Sequence, residues 1–265
     1  MELNSPITSI DSNEYGHNFA VATAGRSVSI HSSQNLQKIS EILNLHSTPY
    51  SIDYSSADCG NLLACGFSDG TVCIYQGNKE IKRFESQKGA ILSVAFHPSK
   101  CTVAAASLAG TFGVYTKKGS EWNSVIISAS LLGLSAITWA PDSDVVQTII
   151  VGGIDGVIRA FKLICGNWEL SAAAQVHNGW IRQLASPLVP IAGSQMVASC
   201  GDDNIVAISK LNGNGFDVSK IVVDFPACGI SWAMVDKVLV LSNINGEVTM
   251  WTEDENGNWK MEKQH

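Results

Sequence analysis

Charge is scarce in this chain. Lys, Arg, Asp and Glu together make up 15% of its 265 residues, and the formal net charge is −7. Nucleic-acid binding draws most of its affinity from clustered Lys and Arg, so direct contact with nucleic acid is not expected. The densest basic groups, Lys79, Lys82 and Arg83, and then Lys117 and Lys118, read as solvated surface. No apolar run approaches the ~18 residues of a membrane-spanning helix. The opening MELNSP lacks the apolar segment of a secretory leader, so none is expected. No helical periodicity persists over a window of about ten residues. Neither an Asn-x-Ser/Thr sequon nor a Cys-x-x-Cys pair occurs.

Motifs that carry chemistry are sparse too. The six histidines are His17, His31, His46, His97, His177 and His265. None is paired at the i, i+4 spacing of a helical metal site, so no metal ligand set is expected. No P-loop and no Gly-x-Gly-x-x-Gly fingerprint is present, and no cofactor is expected. The seven cysteines, at 59, 65, 73, 101, 165, 200 and 228, sit mostly in apolar runs such as Leu62-Leu-Ala-Cys65. They read as reduced, buried, small core residues of a cytosolic chain.

Apolar residues are plentiful, at 45%, enough for a substantial core. Their arrangement repeats. Residues 66–75 read GFSDGTVCIY, with Ser68 and Asp69 beside a glycine. Related stretches are ATAGRSVSIH at 22–31, ASLAGTFGVY at 106–115, GGIDGVIRAF at 152–161, CGDDNIVAIS at 200–209 and SNINGEVTMW at 242–251. The residue after the Asp slot falls at Arg26, Gly70, Gly110, Gly156, Asn204 and Gly246, at intervals of 44, 40, 46, 48 and 42. A period of about 40–45 residues marks a four-stranded propeller blade. Each copy has an alternating apolar strand (a) upstream and a buried strand (b) before the turn. A strand (c) that usually ends in an aromatic residue follows, then an outer strand (d). The expected fold is a single all-β domain over 1–265, a six-bladed β-propeller with blades at about 7–45, 49–86, 90–129, 134–175, 180–225 and 229–264.

These residues resemble WD-repeat propellers. The aromatic ending strand c is present as Tyr75, Tyr115, Phe161 and Trp251, whereas His31 and Ser209 depart from it. The turn Asp is kept as Asp69, Asp155 and Asp203, Asn245 is close to it, and Gly25 and Ala109 replace it. The upstream His is kept as His46 and His177. In this family such a His links through strand residues to the turn Asp, which implies structural, neutral and buried imidazoles. A narrower resemblance rests on His177-Asn-Gly-Trp-Ile-Arg182, VASCGDDNIV, GISWA, EVTMWTEDENGNW and Ala136-Ile-Thr-Trp-Ala-Pro141. These look like the propeller subunit shared by the COPII vesicle coat and the Y-shaped scaffold of the nuclear pore.

That resemblance implies a non-catalytic scaffold on the cytoplasmic side of the ER membrane, on COPII vesicles and at the nuclear pore. Membrane association would be peripheral, through the coat. It also implies an open ring lacking a latch strand, since only six residues precede the first strand a. A helical-solenoid coat or nucleoporin partner would complete the ring with an inserted β-blade. The expected contacts are Ile7, Ile10, Val21, Val28 and Ile30 of blade 1, with Ile230, Trp232, Val238, Val240, Val248 and Met250 of blade 6. Two other readings stand beside this one: a sister pore propeller or peptide-binding adaptor, and a propeller hydrolase with residues drawn from several blades. Trp122, Trp168 and Trp259 on the outer strands fit packing better than docking.

Overall fold

The computed structural model describes residues 5–85, 87–141, 146–191, 193–233, 237–255 and 257–262. The residues expected before the first strand, 1–4, and the end of blade 6, 263–264, lie outside that set, as does His265. The chain divides into two compact units, Met1–Leu134 and Ser135–His265.

The first unit holds three four-stranded antiparallel sheets. Blade 1 is β1 (Ile7–Ser12), β2 (Asn18–Thr23), β3 (Ser27–Ser32) and β4 (Lys38–Ile42). Blade 2 is β5 (Pro49–Tyr54), β6 (Leu62–Phe67), β7 (Val72–Gln76) and β8 (Lys79–Phe84). Blade 3 is β9 (Ile91–Phe96), β10 (Thr102–Ser107), β11 (Thr111–Lys118) and β12 (Glu121–Ser128). The second unit holds the other three. Blade 4 is β13 (Leu134–Trp139), β14 (Thr148–Gly153), β15 (Val157–Ile164) and β16 (Asn167–Gln175). Blade 5 is β17 (Ile181–Ala185), β18 (Met196–Gly201), β19 (Ile205–Asn212) and β20 (Gly215–Val222). Blade 6 is β21 (Ala227–Trp232), β22 (Val238–Asn243), β23 (Val248–Glu253) and β24 (Trp259–Glu262). Strands pair in chain order within every sheet. The one helical element among the described residues is a 3-10 turn at Ala57–Cys59.

Period-2 alternation explains why strand b is apolar without interruption. Along β6, Leu62 and Ala64 pack toward blade 3, against Ile91, Val94 and Val103. Leu63, Cys65 and Phe67 point the other way, against Ala20, Ala22 and Val28 of blade 1. Both faces are covered, so all six residues are buried. Two glycines are required by close approach. A Cβ on Gly66 would stand 2.4 Å from the Ile91 side chain. A Cβ on Gly70, at φ +90°, would stand 2.3 Å from the Gln87 carbonyl oxygen.

Polar side chains tie the inner strands of the first unit together. Ser9 Oγ accepts from the Ile52 N–H at 3.2 Å, and Ser51 Oγ from the Val94 N–H at 3.0 Å. Asp11 accepts from the Tyr54 N–H at 2.7 Å, and Asp53 from the Phe96 N–H at 2.5 Å. Burial, followed by the charge of Asp11, pushes the Asp53 carboxyl well above its usual range; burial does the same, more mildly, to Asp11. A carboxyl whose folded pKa is raised binds protons that the unfolded chain has already released. Its burden is absent below the ordinary carboxylate value and grows as pH climbs toward the raised one. Asp53→Asn keeps an acceptor for Phe96 and removes that burden. It is expected to raise the melting temperature near pH 8 by about 2–4 °C, or roughly 1 kcal/mol, and to leave it unchanged near pH 4. Thermal scans across pH check this, and equal shifts at both ends would refute it.

The cysteines depart from expectation. Cys59 and Cys101 form a disulfide, with Cα atoms 5.4 Å apart. Each sits in the connection from strand a to strand b, Cys59 in blade 2 and Cys101 in blade 3. Adjacent blades set equivalent loops side by side, and the separation of 42 residues is about one repeat. Cys165 and Cys228 are exposed, and only Cys65, Cys73 and Cys200 are buried free thiols. Burial pushes Cys73 and Cys200 up to about 12, which makes them poor nucleophiles.

Candidate functional site

The hairpin between β6 and β7 contains Gly66-Phe-Ser-Asp-Gly70, which spells the Gly-x-Ser-x-Gly pattern of a hydrolase nucleophile elbow. That elbow needs a strand–turn–helix context. Here a strand follows. Ser68 Oγ is hydrogen-bonded to Ser47 Oγ at 2.6 Å, and Asp69 accepts from the Thr71 N–H at 3.0 Å. Both residues shape the turn.

The most complete polar constellation lies in blade 5. His177 stands in the connection from β16 to β17, with its side chain fully buried. Its Nδ1–H donates to Asp203 Oδ1 at 2.8 Å, which leaves Nε2 to accept from the Ser199 hydroxyl at 2.8 Å. Asp203 also accepts from the N–H groups of Asn178 and Ile205, at 2.8 and 3.3 Å. Burial alone would raise the Asp203 carboxyl; the bonds from His177 and these N–H groups outweigh it and hold it below its ordinary value. This is the Ser–His–Asp order of an acyl-transfer triad. Yet Ser199 lies in the middle of β18, 1% exposed, with no space for a substrate at its oxygen. The arrangement fastens the loop to the sheet. Ser209, at the aromatic slot, carries a buried hydroxyl without a partner among the described residues.

Other blades hold partial versions. In blade 2, His46 Nε2 is 3.3 Å from Asp69, but the residue is exposed, unlike His177 and against the expectation of a buried imidazole. Blade 3 uses Gln87, which the sequence reading missed. Its amide donates to the Ala105 carbonyl and the Tyr115 hydroxyl, each at 3.1 Å, and accepts from Thr111 at 3.1 Å. An amide fills the slot of an imidazole, and the only sequence signal was its place before strand a. In blade 4, Asp155 pairs with Arg159 at 2.6 Å.

The residues expected to meet a partner separate by face. Val28 is buried in the core shared with blade 2, and Ile30 packs against that core. Ile230 is buried in the core shared with blade 5, with Trp232 packed against it. These four serve packing inside their own units. Ile10 and Val21 pair across the opposite face of blade 1; Val21 is buried and Ile10 is 61% exposed. Ile7 is exposed at the start of β1. On blade 6, Val240 pairs with Met250 on the face away from blade 5. Val238 and Val240 are half-buried, whereas Val248 and Met250 are exposed at 48% and 42%. The outer-strand tryptophans pack edge-on: Trp122 on Phe84, Trp168 on Trp139 and Trp259 on Trp232. In the basic cluster, Arg83 is paired with Glu80 at 2.8 Å and Lys82 lies over the Phe84 ring. Among the described residues, no three His, Cys, Asp or Glu side chains come together as a metal site.

Comparison with known proteins agrees with this architecture. A family model for the WD domain, G-beta repeat, matches residues 37–76 and 78–115. The SEC13 homolog protein of Drosophila melanogaster is 24% identical, over 92% of this chain and 77% of its own length. The protein transport protein sec13 of Emericella nidulans is 22% identical, over 94% of this chain and 91% of its own. The SEC13 homolog B transport protein of Arabidopsis thaliana reaches 31% identity, over 44% of this chain and 40% of its own. Among solved structures, the WD40 repeats of RRP9 superpose with a TM-score of 0.83 at 14% identity, covering 99% of this chain and 81% of that one. The fold is a six-bladed WD-repeat β-propeller.

Proposed function

We propose that this chain, a Sec13-like WD-repeat propeller, is a non-catalytic scaffold subunit in vesicle-mediated protein transport. The observation that carries the reading is similarity to SEC13 proteins along nearly the whole chain, from an insect and from a fungus. The site chemistry is in keeping with it. The best polar constellation is closed to solvent, and the turn aspartates are engaged with backbone.

The finer reading places the chain in the COPII outer cage on the cytoplasmic side of the ER, and also in the Y-shaped scaffold of the nuclear pore. The partner is a helical solenoid that donates a β-blade to an open ring. Ile7, Ile10 and Val21 of blade 1, and Val238, Val240, Val248 and Met250 of blade 6, would receive it. Support comes from the exposure of Ile10, Val248 and Met250, apolar side chains on sheet faces turned away from their own neighbours. Strand addition and face packing would both contribute to such a contact. Charge scarcity suits a surface covered by a partner.

Expressed alone, the chain is expected to self-associate, and Ile10→Asp combined with Met250→Asp is expected to reduce that association and to abolish partner capture. Affinity purification from native cells should recover coat or pore solenoids with the wild-type chain. A monodisperse solo monomer with no such partner would refute the open-ring reading.

A further inference from the structure

We propose that the cleft beside blade 6 is a docking site for an extended peptide that presents a bulky apolar side chain flanked by lysine or arginine. The cleft lies at the connection from β20 to β21 and the end of the β22–β23 hairpin, and its volume is about 750 Å³. Ligand pockets commonly span about 300–1,000 Å³.

Its origin follows from a comparison with blade 5. There the incoming loop drops His177 onto the sheet, between Ser199 and Asp203. In strand register, Leu241 and Asn245 of blade 6 occupy the places of Ser199 and Asp203, and Trp251 occupies that of Ser209. The loop into blade 6, residues 223–226, contains no histidine. Leu241 removes the hydroxyl partner of an imidazole and the loop supplies no imidazole, so Val223, Asp224 and Phe225 line the opening instead. Ala227 and Leu241 give it an apolar floor, and Phe225 and Met261 remain 45% and 51% exposed. The Trp251 indole N–H is satisfied by Thr249 at 3.0 Å, so the ring serves as an apolar wall.

Charge identifies the occupant. Asp224, Glu247 and Glu262 line the cleft, and no Lys or Arg is among its described lining residues. Glu247 is held in place by the Asn243 side chain at 2.8 Å. An apolar side chain that enters the cleft brings its neighbours to this acidic border, where cationic residues are favoured and acidic ones repelled. The floor and the Trp251 wall belong to the side of the sheet that packs toward blade 5, opposite Val240 and Met250. The floor and wall are therefore separate from the partner-blade surface, whereas Val248 and Glu262 at the rim lie on the Met250 face and border it.

The test uses the full chain and a fluorescein-labelled octapeptide alternating lysine with phenylalanine and leucine, followed by fluorescence polarisation. Saturable binding is expected, with a Kd weakened about tenfold by Glu247→Lys and by raising salt from about 50 to 300 mM. Met261→Asp should weaken it as much, with the melting temperature of both variants near wild type because both side chains are exposed. A peptide with glutamate in place of lysine should not saturate. Equal binding of the two peptides, or an unchanged Kd in both variants, would overturn the proposal.

Discussion

His177→Leu is expected to destabilise the chain by about 3 kcal/mol and lower its melting temperature by about 6–12 °C. Leucine fills much of the imidazole volume but offers no hydrogen bond. The Ser199 hydroxyl, 1% exposed, would keep only a long bond to the Ala207 carbonyl at 3.4 Å, and the partly buried Asp203 carboxylate would keep only the N–H groups of Asn178 and Ile205. Each such loss costs about 1–3 kcal/mol. His46→Leu in blade 2 provides an internal comparison. There the contact is longer, at 3.3 Å, and the Asp69 side chain is 43% exposed, so water replaces the lost partner. Its cost should be about 1 kcal/mol or less. The pH dependence separates the two further. The Asp203 carboxyl is held below its ordinary value, so its contribution is fully present above the unfolded carboxylate pKa of about 4. That contribution is lost as pH falls through the depressed folded value. The gap between wild type and His177→Leu should therefore narrow in strong acid. Denaturation curves at neutral and acid pH check this, and equal costs at His46 and His177 would show that the blade 5 constellation has no special weight.

The second large effect concerns Cys59 and Cys101. A link between residues 42 positions apart restricts the unfolded chain by about 4 kcal/mol in the loop-entropy account, and measured gains are commonly 2–4. Cys59→Ser with Cys101→Ser is expected to lower the melting temperature of oxidised protein by about 4–16 °C. Reductant should bring wild type down to the double variant and leave the variant unmoved. A reducing cytosol keeps such pairs as thiols, so protein prepared without reductant is the one to compare. Alkylation after denaturation without reductant should label five of the seven cysteines. Seven labelled thiols would remove the premise.

The blade count and strand order were legible in the sequence because turn, strand b and strand c recur together. Their spacing survived even where His31 and Ser209 broke the motif. The face of each side chain was less legible. Alternation places Val28 and Val21 on opposite faces, but both faces of a blade are apolar, and hydropathy does not say which neighbour each one meets. Ile230 and Trp232 were assigned to an outward face for that reason, and they pack toward blade 5. The cysteine pair had a signal, a separation close to the repeat length at equivalent loops with polar flanks, but the apolar runs around other cysteines such as Cys65 set a buried-thiol reading for all seven. Gln87 carried no imidazole and so escaped a search for histidine. The cleft at Phe225 was hidden because it arises where the repeat fails to match itself.

The ties between inner strands bear on how the chain folds. Ser9 to Ile52, Asp11 to Tyr54, Ser51 to Val94 and Asp53 to Phe96 each span 43 residues. In the second unit, Gln183 to Ile230 and Trp232 to Ala185 each span 47. The loop that must close to make any of them is one repeat long, wherever it lies. Closure entropy depends on that loop and not on total length. A neighbouring pair of blades could thus act as a nucleus at several places along the chain, with later blades added one at a time. Folding speed should follow the length of one repeat more than the number of repeats.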